Sequence, residues 1–185
     1  ATDGAGRIQR FVEKPKGQAP SNTANTQIYL FQPEIHAFIP PDIWYDFGYN
    51  VFPALVSGDE PFYGFTLPGY WRDIGSADDY FAAQWDVMEG RLQAEVPGEQ
   101  ISPGVWVGDG SEVHPSAQLT APLVIGRGCR IGAGAEIGGA TAIADGVGVP
   151  ANTKLWNCVL WKGAKVPGGQ ELRQAVIGSE GVIVG

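Results

Sequence analysis

From residue 101 to residue 155 an aliphatic side chain occupies every sixth position: Ile101, Val107, Val113, Leu119, Ile125, Ile131, Ile137, Ile143, Val149 and Leu155. That period fits neither the helical repeat of about 3.6 nor the two-residue alternation of a half-buried strand, so it demands short rungs that each send one side chain inward. Glycine follows the aliphatic residue at Val107-Gly108, Ile125-Gly126, Ile131-Gly132 and Ile137-Gly138, which suits a chain turning a corner between rungs. Beyond Leu155 the step shortens to five at Leu160, returns to six at Val166 and Leu172, shortens to five again at Ile177 and ends on Ile183. The repeat predicts a solenoid that runs to the last residues.

This pattern resembles the hexapeptide-repeat left-handed parallel β-helix, in which three rungs close one triangular coil. Fifteen rungs would then make five coils. Bulges or tightened corners are expected to absorb the two five-residue steps.

The change of pattern near residue 100 divides the 185 residues into an N-terminal domain, 1–99, and a β-helix domain, 100–185. Charge follows the same division. Residues 1–99 carry 14 acids and six bases, whereas residues 100–185 carry six of each. Neither part offers the basic face that a nucleic-acid binder needs. No apolar run reaches the roughly 18 residues of a membrane span, and no signal-peptide pattern is present, so a soluble cytoplasmic protein is expected. Cys129 and Cys158 lie among the repeats without a CxxC spacing and are expected to be reduced. His36 and His114 are too few for a three-histidine metal site.

Residues 1–99 read as alternating strands and helices. Strands are expected at 7–13, 26–31 and 62–67, with a polar loop at 17–24. Pro33 suits the first turn of a short helix that Pro40-Pro41 stops. A second helix is expected near Pro53, closed by Gly58-Asp59. A third has Ser76 and Asp79 at capping-box spacing, an apolar stripe of Phe81, Trp85 and Met88, and Gly90 as its stop. That helix is expected to pack back on the sheet. Pattern alone describes an α/β layer with no chemistry assigned.

Three motifs add the chemistry: Arg10-Phe11-Val12-Glu13-Lys14-Pro15, Asn25-Thr26-Gln27-Ile28-Tyr29 and Gly69-Tyr70-Trp71-Arg72-Asp73-Ile74-Gly75-Ser76. In this order, and followed by hexapeptide repeats, they resemble the C-terminal half of a sugar-1-phosphate nucleotidyltransferase of the mannose-1-phosphate guanylyltransferase and glucose-1-phosphate nucleotidyltransferase group. The resemblance runs from about residue 6 to the end and includes Asp46-Phe47 and Val51-Phe52-Pro53. It implies a partial Rossmann-like α/β nucleotidyltransferase domain ahead of the all-β left-handed β-helix.

In such enzymes the phosphate of a sugar 1-phosphate attacks the α-phosphorus of a nucleoside triphosphate and expels pyrophosphate. Both reactants are anions, so the resemblance implies Mg²⁺ and cations where charge crowds, and orientation of a nucleophile that is already competent. It implies that Asp73 is the catalytic metal-binding carboxylate, a hard ligand for a hard cation. The alternative for Asp73 is a helix-start acid favoured by the dipole. Glu13 matches the acceptor of sugar hydroxyls, Lys14 a cation facing phosphate or sugar, and Asn25 and Thr26 the strand start that touches the sugar. A solvated surface pair remains the alternative for Glu13 and Lys14.

Gln27 stands where that family usually has glycine, and Asn50 where an acid is common; both bear on which sugar is taken. The Gly-rich triphosphate loop of the family and its second metal-binding aspartate have no counterpart in residues 1–99. The expectation is therefore a C-terminal piece of a larger enzyme, inactive by itself. Two other function classes remain open: a hexapeptide acyltransferase, for which His114 is the only candidate base, and a noncatalytic assembly or regulatory subunit. A coil end with unpaired backbone invites pairing, so a homo-oligomer through the β-helix is expected, a dimer before a trimer.

Overall fold

The computed structural model describes residues 1–19 and 21–184, with the side chain of Val184 set aside. Pro20, inside the expected 17–24 loop, and Gly185 lie outside the described residues. The chain falls into two compact units, Ala1–Trp71 and Arg72–Gly185.

The second unit is a β-helix, and its construction follows from the six-residue repeat. Strands β1 (Glu99–Ser102), β2 (Val105–Val107), β3 (Glu112–Val113), β4 (Gln118–Leu119), β5 (Leu123–Ile125), β6 (Arg130–Ile131) and β7 (Glu136–Gly138) lie in its first half. Strands β8 (Thr141–Ile143), β9 (Gly148–Val149), β10 (Lys154–Trp156), β11 (Val159–Leu160), β12 (Glu171–Arg173), β13 (Val176–Gly178) and β14 (Gly181–Val184) complete it. They form three sheets in the orders β1-β2-β5-β8-β11-β13-β14, β12-β10-β7-β4 and β3-β6-β9. Three rungs per coil make each parallel ladder advance 18 residues at a time, or 17 where a five-residue step intervenes, as from Leu155 to Leu172. Val107 therefore pairs with Ile125, Ile125 with Ile143, and Val113 with Ile131. The parallel register and hexapeptide repeat fit a left-handed β-helix.

Thirteen of the fifteen repeat residues point into one core. Ile125, Ile131, Ile137, Ile143, Val149, Leu155, Leu160 and Ile177 are buried, and Val107, Val113, Leu119, Val166 and Leu172 pack against them. The first and last do not. Ile101 and Ile183 are 55% and 52% exposed, because β1 and β14 fold back antiparallel on β2 and β13. Pro103-Gly104 and the turn at 179–180 reverse the chain there. The solenoid thus has about four coils, not the expected five, and its longest sheet ends in two reversed strands.

The five-residue steps are absorbed at corners. Where one coil spends Gly139, Ala140 and Thr141 between paired positions, the next spends only Asn157 and Cys158. Asn157 (φ 54°) and Gln174 (φ 51°) make the sharper turns. Thr141 fills the slack: its hydroxyl donates to the Gly138 carbonyl at 2.6 Å and accepts from the Cys158 amide at 3.2 Å. Both cysteines are buried and free, and burial raises the Cys158 thiol pKa above its ordinary value.

The capped helix forms as read. It is α2, Ala77–Met88, and the Ser76 hydroxyl accepts the Asp79 amide at 3.1 Å while donating to the Asp79 carboxylate at 2.6 Å. Its packing differs from expectation. Phe81, with Ala77 and Tyr80, lies on Val159 and Val176 of the outer β-helix face rather than on an α/β sheet. The Gln84 carboxamide donates to the Ala140 carbonyl, and Gln174 donates to Asp78 at 2.8 Å. Packing therefore divides the chain between residues 71 and 72, earlier than the change of sequence pattern near residue 100. Among the described residues no helix is long and apolar enough to cross a membrane.

The first unit is built around an aromatic cluster. Val51, Phe52 and Leu55 are buried, and Phe11, Phe31, Phe38, Phe47 and Phe62 are among the residues packed on them. The expected helix after Pro33 tightens to a 3₁₀ segment, Pro33–Phe38. A π-helical turn, Phe47–Val51, leads directly into α1, Phe52–Ser57, with Pro53 in its first turn and Gly58 at its end. The three expected strands do not form ladders. Arg7 bridges Tyr63 and Thr2 bridges Ile8, while 26–31 finds no strand partner among the described residues. Phe11, Phe31 and Phe62 from these segments pack half-buried on the aromatic cluster, but a strand also needs a neighbour for its amides.

Candidate functional site

In the first unit a recess of about 370 Å³ opens beside the aromatic cluster. Its apolar wall is Tyr29 and Phe47, stacked with ring centres 5.9 Å apart, and Tyr29 in turn meets Phe52 edge-on at 5.1 Å. Its floor is the start of the π-helical turn. The Asp46 carboxylate caps that turn by accepting the Tyr49 amide at 2.8 Å, and Asn50 accepts the Asp46 amide at 3.0 Å. Asn50 thus has a backbone-holding role that an acid at the same position would also fill.

Glu13 reaches the recess over Gly48. A Cβ at Gly48 would stand 2.6 Å from Glu13 Oε2, so only glycine leaves the carboxylate this path. Asn25 and Gln27 line the same recess with Tyr45 and Asp46. The Asn25 side chain is committed at both ends, its Oδ1 accepting the Gln27 amide at 2.9 Å and its Nδ2 donating to the Tyr29 hydroxyl at 2.7 Å. This local turn places Gln27 at φ 60°. By contrast, neither the Glu13 carboxylate nor the Gln27 carboxamide has a side-chain hydrogen bond or ion pair among the described residues. The recess therefore offers a free anion and a free amide above an aromatic wall.

Of the residues singled out from the sequence, Glu13 and Asn25 meet at this recess. Lys14 is exposed with φ 43° and Thr26 is half-buried; neither lines it. Asp73 belongs to the other compact unit and is exposed. The residue before it is anchored: Arg72 donates through Nε and Nη2 to the buried Asp86 carboxylate at 3.0 and 2.8 Å, and Arg91 reaches the other oxygen at 2.8 Å. Among the described residues no three His, Cys, Asp or Glu side chains gather where a metal ion could sit. One exposed carboxylate is not a metal centre by itself.

His114 lies at a shallow groove on the three-stranded face, beside Glu112, Arg130 and Pro150. Its Nδ1 faces the Ser116 amide at 3.2 Å and the Ser116 hydroxyl at 2.9 Å, so this nitrogen is occupied by its own turn. An Nδ1 that accepts a backbone amide leaves the neutral ring's proton on Nε2, so neither nitrogen is free to take one.

Residues 1–90 match the family described as nucleotidyl transferase, and residues 104–139 match the bacterial transferase hexapeptide family of six repeats. The chain is 32% identical over 181 residues to a UTP–glucose-1-phosphate uridylyltransferase of Synechocystis, covering 96% of this chain and 47% of that protein. The chain is a relative of the sugar-1-phosphate nucleotidyltransferases. It is also 35% identical over 155 residues to a mannose-1-phosphate guanylyltransferase of Mycobacterium tuberculosis, covering 81% of this chain and 41% of that protein. A glucose-1-phosphate adenylyltransferase of Desulfitobacterium hafniense is 28% identical over 196 residues, with 98% and 46% covered. The chain spans about half the length of the curated relatives it matches.

For this nucleotidyltransferase relative, sequence reasoning missed Tyr45, Asp46 and Gly48 as recess residues. The available signal was Asp46 three residues before Tyr49, the spacing of a helix cap, with a glycine inside the first turn.

Proposed function

We propose that this chain carries the sugar-phosphate side of an NDP-sugar pyrophosphorylase that joins a nucleoside triphosphate to mannose or glucose 1-phosphate. A phosphate oxygen of the sugar 1-phosphate bonds to the α-phosphorus, the α–β bridging bond breaks, and its electrons leave with pyrophosphate. The observation supporting this reading is the free Glu13 carboxylate over Gly48, within the stretch that matches the nucleotidyl transferase family. A carboxylate held beside an aromatic wall is suited to accept hydrogen bonds from adjacent sugar hydroxyls. Asn25 keeps one amide hydrogen and one lone pair for the same ligand, and Lys14 and Thr26 flank it in sequence.

Orientation is the main task, because the attacking phosphate needs no activation. In this reading Asp73 would hold Mg²⁺ through one hard carboxylate oxygen, and the ion would supply charge neutralisation at the phosphates. No step assigned to the recess depends on that ion. Residues 1–99 form the substrate part and residues 100–185 the assembly part, which joins copies into a homo-oligomer, a dimer first. Two buried free thiols fit a reducing cytoplasm. Sedimentation showing only monomer at high micromolar concentration would count against the assembly role.

The test is saturation-transfer NMR on the 185-residue chain with glucose 1-phosphate and mannose 1-phosphate. At least one sugar should give signals that Glu13→Ala removes. Silence from both at millimolar concentration overturns the reading. The chain alone is expected to release no pyrophosphate from nucleoside triphosphates, since positioning and charge neutralisation are not divisible into half a site. Release that Asp73→Asn abolishes would refute that part.

A further inference from the structure

Gln27, like Glu13, carries into the recess a polar group without a hydrogen-bond partner among the described residues. The turn at 25–27 is closed by the Gln27 backbone amide, which Asn25 holds at 2.9 Å. At φ 60° a glycine would adopt this backbone more easily than any residue bearing a Cβ. Gln27 is exposed, so it buries nothing, and its carboxamide has no protein partner among the described residues. A strained backbone that carries a free polar group into a cavity calls for a ligand-directed explanation.

The neighbouring groups say which ligand chemistry suits it. The Glu13 carboxylate can only accept hydrogen bonds, and the backbone amide of residue 27 is already taken by Asn25. A sugar hydroxyl bound to Glu13 uses its proton there and is left with lone pairs. A carboxamide supplies the missing donor and, through its carbonyl, a second acceptor. We infer that Gln27 is a specificity-determining residue of the recess, its carboxamide holding one hydroxyl of the uncharged sugar ring of a hexose 1-phosphate next to those held by Glu13. An epimer that turns this hydroxyl away loses the bond and leaves the amide unpaired, which is how a polar site rejects a near-isostere.

The inference rests on the reading of the recess as a sugar-1-phosphate site, and one set of measurements separates the two. Dissociation constants for glucose, mannose and galactose 1-phosphates are measured by NMR titration with the parent chain, Gln27→Gly and Gln27→Asn. The parent should prefer one epimer by about tenfold, the value of one well-made hydrogen bond. Gln27→Gly should weaken that epimer by about tenfold, leave the others within about twofold and so erase the preference. Gln27→Asn tolerates the left-handed backbone and withdraws the amide by one methylene, so it should act in the same direction; it secures the result if the glycine variant loosens the turn. If the parent binds none of the three sugars, the site reading fails and the inference with it. If the parent binds them but both variants keep its order of preference, the inference alone is overturned.

Discussion

Replacing Gly126 by alanine tests whether the corners of the β-helix are as tightly stacked as their geometry implies. A Cβ there would stand 2.6 Å from Asp145 Oδ1, 2.7 Å from the Asp145 nitrogen and 2.8 Å from the Ala144 carbonyl carbon. Two of these atoms are backbone of the next coil, so no side chain can simply swing aside. Restoring ordinary contact needs a shift of about 0.6–0.8 Å between coils. Two hydrogen bonds cross this gap: the Gly126 amide to the Ile143 carbonyl at 2.7 Å, and the Arg127 amide to Asp145 Oδ1 at 2.7 Å. Weakening them costs about 0.5–1.5 kcal/mol each, and overpacking adds about 1–3 kcal/mol. The smaller entropy of the unfolded alanine chain returns about 0.4–1 kcal/mol. The net expectation is a loss of about 1–5 kcal/mol. Gly148→Ala is the control, since its Cβ would meet nothing within 4 Å and its φ is not left-handed. It should be neutral or stabilise by up to about 1 kcal/mol. The assay is urea unfolding followed by tryptophan fluorescence, with Trp44 and Trp71 of the first unit changed to phenylalanine so that the signal belongs to the second. Equal midpoints for the two alanine variants would refute the stacking argument.

Cys158 makes stability fall on the alkaline side. Burial raises its folded-state thiol pKa above the ordinary 9.0, so its contribution is complete below pH 9.0 and is lost as pH rises through the folded value. The Lys154 ammonium, raised by its bond to Glu136, acts in the same direction above 10.5. Cys158→Ala should therefore flatten the fall in melting temperature that begins near pH 9; an unchanged pH profile would refute this. Asp86→Ala removes the carboxylate that two arginines share at 2.8 Å. Both arginines keep access to water, so the loss should be about 2–3 kcal/mol rather than the larger cost of stranding a fully buried charge; a change below about 0.5 kcal/mol in the same unfolding assay would contradict it.

The β-helix was legible because each rung repeats one local instruction and each ladder contact recurs 17 or 18 residues away. Ile125, Ile143 and their fellows needed no knowledge of distant sequence. The exceptions at Ile101 and Ile183 have a local cause that periodicity ignores. Pro103-Gly104 and Ser179-Glu180-Gly181 are reversal signals, and a reversal turns a six-residue step from coil continuation into a hairpin. Weighing those turns above the period would have removed both rungs from the core. Helix α2 was legible for a similar reason, since Ser76, Asp79 and Gly90 mark its ends locally. Its partner was not, because an apolar stripe states that a helix is buried without stating against what.

The first unit shows the opposite case. Its core depends on Phe52 meeting Phe11, Tyr29, Phe47 and Phe62, residues spread over 52 positions with no repeat among them. The apolar character of 26–31 suggested a strand, yet strand pairing does not follow from local composition alone. The same non-local cluster builds the recess, since the Tyr29–Phe47 stack is both core edge and recess wall. Motif resemblance could reach Glu13 and Asn25, which stand in recognisable runs, but not Tyr45 or Gly48, whose place comes from the path of the π-helical turn. Gln27 stood out as an unusual residue in its motif before its backbone was known. Its left-handed φ gives that departure a physical meaning: the chain keeps a glycine-like conformation there while adding a carboxamide that lines the recess.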